Sequence, residues 1–194
     1  MKVVISILIT FAVLLGILTV VAKTMDEPVA SASPTYEPVV IDWEDELIAA
    51  VRNGDYDRGE QAGELLGVSY RDLVDLSRIM AAESGPEWPD CYTMMIGEVV
   101  LNRVASPEWP DTVWDVLSQR EPIQYAPVWM DSWGELKPSE NTIRLALRLL
   151  RGERVLNDEL VVYQALFPQG TQTVTTYWDE HLDTITYFCR GDES

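Results

Sequence analysis

The stretch from residue 69 to 104, SYRDLVDLSRIMAAESGPEWPDCYTMMIGEVVLNRV, constrains this chain more than any other. Ser69 offers a hydroxyl to cap a helix, Asp72 follows at capping-box spacing, and Leu73, Leu76, Ile79 and Met80 recur at steps of three and four. That stripe predicts a helix with one buried face, stopped by Gly85 and Pro86. The next helix carries Met94, Met95, Ile96, Val99, Val100, Leu101 and Val104, apolar nearly all round, which puts it at the centre of the fold. Both helices need covering elements, and 194 residues supply one domain with a core, plus accessories.

One step of three beyond Met80, Glu83 stands where the pattern calls for an apolar side chain. If it follows the stripe inward, loss of water and the partial negative charge of the helix C-terminus both favour the neutral acid. A carboxyl still protonated near neutral pH suits protonation of the leaving oxygen in glycoside cleavage. Glu83 is therefore the candidate general acid. The same spacing also lets Glu83 turn to solvent as the helix frays.

The segments AAESGPE, GEVVLNRVASPEWPDTVWDVL, EPIQYAPV, VVYQALFPQG and a closing ITYFC together resemble the SleB-type cell-wall hydrolases, a spore-cortex-lytic and phage-associated family. The likeness runs over residues 73–190. It implies an α+β, mainly helical catalytic domain, lysozyme-like or lytic-transglycosylase-like, that acts on peptidoglycan. On the family pattern Glu83 is the acid, Glu87 is a second acidic position, and Asn102 is the Asn of the LNR segment. Gln124 with Tyr125 takes the place of a Gln-aromatic pair in the cleft, and Tyr163, Gln164 and Tyr187 line it opposite Glu83. The chain departs from the pattern in two places. Cys91-Tyr92 stands where the family often has Gly-Gln, and Thr184-Ile185-Thr186-Tyr187 replaces an ending that often carries His.

The resemblance leaves the second half of the reaction open. A hydrolase needs a second carboxylate, for which Glu87 and Glu98 are the near candidates. A lytic transglycosylase needs none, because the sugar's own 6-hydroxyl attacks and leaves an anhydro product. Glu98 and Asn102 sit four apart on one helix face, with two readings. Either Glu98 orients Asn102 or caps a neighbouring helix, or it holds an amide that binds the substrate's N-acetyl group. The rival from another class is a catalytically inactive wall-binding or scaffold module with the same fold and cleft.

Around this centre the periodicity predicts a short helix over residues 42–51 ended by Asn53-Gly54, a helix over 112–117 capped by Thr112, and an amphipathic helix from Ser139 to Leu150. Residues 160–166, 173–178 and 184–189, rich in Val, Thr, Tyr and Phe, read as strands of a small C-terminal antiparallel sheet. Residues 119–137 keep no period and hold Tyr125, Trp129 and Trp133, rings available either to stack on sugars or to fill the loop. The segment RGEQAGELLGVSYRDLVDL is similar to a helix-turn-helix, with Arg71 and Arg78 beside Asp72 and Asp75 on its second helix.

Residues 3–22 form an apolar span between Lys2 and Lys23, about 30 Å long as a helix and enough to cross a bilayer. An uncleaved signal anchor fits this length better than a cleaved signal peptide, for which Ala30-Ser31-Ala32 would be the processing site. The expected organisation is a membrane segment over 1–25, a Pro-containing linker over 26–40 and the catalytic domain over 41–194, outside the membrane or secreted. A net charge of −18 excludes nucleic-acid binding through phosphate contacts, so the helix-turn-helix-like segment reads as a structural hairpin. In an exported chain the pair Cys91 and Cys189 predicts a disulfide. No metal or cofactor is expected: the one histidine, His181, has no ligand partner at zinc-like spacing. With both cysteines paired and His181 alone, a peptide-cleaving thiol or zinc centre has no parts.

Overall fold

A computed structural model describes residues 40–192, and the expected membrane span and most of the linker lie outside these residues. In chain order the elements are α1 (Trp43–Asn53), α2 (Tyr56–Leu66), α3 (Tyr70–Glu83), α4 (Asp90–Ala105), α5 (Val113–Leu117), two 3₁₀ turns (Ala126–Trp129 and Asp131–Glu135), α6 (Glu140–Leu150), and strands β1 (Val161–Ala165), β2 (Gln172–Asp179) and β3 (Thr184–Arg190). Among the described residues no helix is long and apolar enough to cross a membrane.

Side-chain caps explain where most helices start. Asp42, Asp55, Ser69, Thr112 and Ser139 each accept a hydrogen bond from a backbone N–H of the first turn, which satisfies donors that have no partner within the helix. The expected helix over 42–51 and the helices capped by Thr112 and Ser139 are α1, α5 and α6. The central helix begins earlier than its apolar run suggests. Asp90 opens α4 four residues before Met94, where that run begins, because an acid suits a first turn.

Helix α3 is the hub, packing against α1, α2, α4, α5, α6 and the first 3₁₀ turn. Its stripe of Leu73, Leu76, Ile79 and Met80 is fully buried. Gly97 lets α3, α4 and α6 meet: a Cβ there would lie 2.6 Å from Leu149 Cδ1 and 2.7 Å from Met80 Sδ, closer than packed atoms come.

The sheet runs β1-β3-β2, antiparallel throughout. Its place is set by three buried polar residues of α4. Glu98 Oε2 accepts from the N–H of Val155 (2.7 Å) and Leu156 (3.0 Å). Asn102 Nδ2 donates to the carbonyls of Asp158 and Val161, each at 3.0 Å, and Arg103 Nε donates to the Val162 carbonyl at 2.7 Å. These bonds pair backbone groups in the interior that would otherwise be costly to bury.

The cysteines are free thiols, which corrects the disulfide expectation: Cys91 is exposed on the first turn of α4 and Cys189 is buried in β3. Tyr92, next to Cys91, packs on Tyr177, which pairs with Thr186 across the ladder. Cys189 lies three residues further along β3, about 10 Å away and on the opposite face of the sheet, beyond the reach of a disulfide.

Candidate active site

Glu83 is the last residue of α3, one turn past the buried Met80. It is partly buried, and burial pushes its carboxyl above the ordinary 4.5. The helix ends there because Ser84 turns extended, with its Oγ donating to the Met80 carbonyl at 2.7 Å.

The loop that follows separates two recesses of about 320 Å³ each. One opens toward Tyr177, Trp178, Asp179 and His181 at the end of β2, and the other toward Asp90, Thr93, Asn141 and Thr142 beside α6. Gly85, Pro86 and Trp88 line both. Trp88 holds the loop in place: its Nε1 donates to Asp179 Oδ2 at 2.7 Å and its ring packs at 4.5 Å from Tyr177. Gly85 is required by this latch, since a Cβ would come within 2.7 Å of the Trp88 ring. Asp179 is itself held by the N–H groups of His181 and Leu182, and the Trp88 bond, with those two, holds its carboxyl below the usual carboxylate range. Glu87 lies on the same loop, exposed, at the mouth of the first recess.

Behind Glu83 stands a polar and aromatic stack. Tyr125 is buried, and its phenol is pushed up by burial, opposed by Arg103 and reinforced by the charge of Glu83. The Arg103 guanidinium lies between Tyr125 (5.1 Å) and Trp109 (4.3 Å), and its Nη2 donates to Gln124 Oε1 at 3.1 Å. Tyr125, Arg103 and Gln124 thus form one chain of contacts across the 119–137 segment and α4, and the charge of Glu83 is felt at its Tyr125 end.

Other sequence-selected residues fall elsewhere. Glu98, 1 % exposed, and Asn102 are engaged by the backbone of 155–161 rather than by each other, and Glu98 Oε1 is left without a hydrogen-bond partner among the described residues. Asn102 lines a separate recess with Ser106, Glu108, Leu160 and Val162. The ladder register separates the three strand residues. Gln164 pairs with Phe188, and Phe188 with Thr175, on the face that carries Tyr177 toward α4. Tyr163 pairs with Cys189 and Tyr187 with Ala165, so both point to the other face, where Tyr163 meets the Trp109 ring edge-on at 6.2 Å.

Arg103 and the Trp88–Asp179 pair escaped the sequence reading. Arg103 was legible as the Arg of LNR, a cation inside an otherwise apolar helix. The indole-carboxylate pair spans 91 positions in the chain, and no local signal announces it.

The cell wall hydrolase family model matches residues 92–188, from the first turn of α4 into β3 and so beginning after Glu83. No curated protein and no solved structure matches the chain. The match covers half of the sequence and includes LNR, Gln124-Tyr125, β1, β2 and most of β3. The segment resting on the Glu83 helix, with its buried Arg103 and its sheet, is that of a cell wall hydrolase of the SleB type, and the chain belongs to that family of peptidoglycan hydrolases.

Proposed function

We propose that the chain cleaves the glycan strand of peptidoglycan, with Glu83 as general acid. The observation that carries this reading is the partly buried Glu83 carboxyl, raised by desolvation, at the root of the loop between two recesses. Protonated Glu83 gives its proton to the glycosidic oxygen as the bond from that oxygen to C1 breaks, leaving oxocarbenium character on the sugar.

A lytic route fits the surroundings better than a two-carboxylate hydrolysis. Glu98 is buried and engaged with backbone N–H groups, which leaves Glu87, exposed on the loop, as the remaining near candidate for a second carboxylate. In the lytic route the sugar's 6-hydroxyl attacks C1 and returns its proton to the Glu83 carboxylate, which serves as acid and then base. Gln124, held by Arg103, and Tyr125 form the wall behind the acid.

Incubation of the full chain and its Glu83→Gln variant with purified peptidoglycan, followed by mass spectrometry of soluble products, tests this. Anhydro-muramyl products from the parent and none from the variant are expected. Reducing ends would replace the lytic route by hydrolysis and redirect attention to Glu87. Intact wall binding without any product would leave a binding module in place of an enzyme.

We further place the catalytic part outside a membrane, on the strength of the apolar span at residues 3–22. Protease treatment of intact cells is expected to degrade it, and full protection would overturn that placement.

A further inference from the structure

A second groove lies along the first half of α3, away from Glu83. Tyr56, Trp114 and Trp133 line it, and its volume is about 500 Å³. Tyr56 is 62 % exposed and packs edge-on against Tyr70 at 5.7 Å; Trp114 is 37 % exposed. Asp75 also lines it. Eight residues separate Asp75 from Glu83, about 12 Å along the helix axis.

Asp75 is the unexplained group. The residue as a whole is 6 % exposed, and among the described residues its carboxyl accepts no hydrogen bond and forms no ion pair within 4 Å. Arg71 and Arg78 flank it at one helical turn on either side and line the same groove. Arg78 Nη2 donates to the Gly134 carbonyl at 3.2 Å, and Arg71 is exposed. With no partner among the described residues, the carboxyl oxygens keep contact with the groove's solvent, and burial of the rest of the residue drives the group up to about 6, against the lowering effect of both arginines. Nothing in the glycosidic step uses it.

We propose that this groove is a second, non-catalytic site for a pyranose glycan, in which Trp114, Trp133 and Tyr56 stack on sugar faces while Asp75, Arg71 and Arg78 bind the hydroxyls. The chemistry points to a neutral polyol. Rings with exposed faces match the apolar C–H face of a pyranose, and an acceptor between two guanidinium donors matches vicinal hydroxyls. A strongly anionic occupant fits less well, because the Asp75 carboxylate lines the groove between the two arginines and would repel it. The choice of wall glycan as the polymer rests on the proposed function; the groove's affinity for sugar does not.

The test is retention of the full chain on insoluble wall, in a Glu83→Gln background so that the polymer is not consumed. Two wall preparations are used, one intact and one stripped of accessory polysaccharides. Trp114→Ala is expected to lower retention about tenfold, the equivalent of one lost recognition contact. In the Glu83-containing chain, Trp114→Ala is expected to leave cleavage of a short soluble wall tetrasaccharide unchanged. Loss of retention on stripped wall assigns the groove to the glycan strand, and loss on intact wall alone assigns it to an accessory glycan. Should Trp114→Ala fail to fold, Asp75→Asn, which removes a buried charge, decides the matter by the same measurement. Unchanged retention in the deciding variant overturns the proposal. A chain that cleaves no wall but whose retention still depends on Trp114 would sink the glycosidase reading and leave this site standing.

Discussion

Trp88 and Asp179, 91 positions apart in sequence, meet in a 2.7 Å hydrogen bond that ties the loop behind the acid helix to the end of β2. Trp88→Phe keeps an aromatic ring beside Tyr177 but deletes the N–H and trims the bicyclic indole to a single ring. It is expected to lower the melting temperature by a few degrees, about what one lost hydrogen bond removes from a domain of this size, and to slow wall cleavage more than it weakens wall binding. Because the folded Asp179 carboxyl titrates below its ordinary 3.8, the latch's contribution is full above that pH and fades as pH falls through the folded value. Melting curves of parent and Asp179→Asn are therefore expected to converge in strong acid. Curves that stay parallel would show that the carboxylate does not supply the stabilisation.

On the proposed assignment Glu83 acts in its protonated form, so kcat/KM is expected to fall as pH rises through its pKa, with the inflection displaced upward from 4.5. Glu83→Gln should abolish that limb and reduce the rate by at least about 100-fold, the lower range for removing a general acid. A profile whose alkaline limb survives the substitution would assign the proton to another group.

Asp75 behaves in the opposite sense for stability. With about 6 in the folded state against 3.8 ordinarily, its ionisation disfavours the fold between those values, fully so above pH 6. The shift corresponds to about 3 kcal/mol, and screening through the open groove reduces this to about 1–2 kcal/mol. Asp75→Asn is expected to be more stable than the parent at pH 7 and equal to it below pH 4, as denaturant titrations at the two pH values will read.

Arg103→Met keeps the length and apolar stem of the side chain but leaves the Val162 carbonyl and Gln124 Oε1 without their donor. A cost of about 3 kcal/mol is expected by chemical denaturation, typical of hydrogen bonds to a buried charge. Arg103→Lys is expected to recover only part of it, since a single ammonium cannot reproduce the planar fork.

Much of this architecture was legible residue by residue. The stripe from Leu73 to Met80, the caps at Ser69, Thr112 and Ser139, and the three Val/Thr/Tyr-rich strands all came from local patterns, because each depends on neighbours within a few positions. What stayed hidden was long-range. The i,i+4 spacing of Glu98 and Asn102 suggested that they meet each other, whereas both reach a segment more than fifty positions away. The strand pattern nominated Tyr163, Gln164 and Tyr187 together, but only the ladder register shows that they divide between the two faces. Paired cysteines looked like a bridge because spacing in sequence says nothing of which face a strand residue takes.

Glu98, Asn102 and Arg103 give the fold an uneven tolerance to changes of length. All three bond to backbone groups of one short segment, so they act on it together only while they keep their angular positions around α4. A residue inserted in the turn between β2 and β3 leaves that geometry untouched. The same insertion in α4 just before Glu98 turns all three by about 100° relative to the preceding half of the helix and releases the strand entry at once. A change of length is therefore better borne by a turn than by α4, which acts as a ruler for the strand entry.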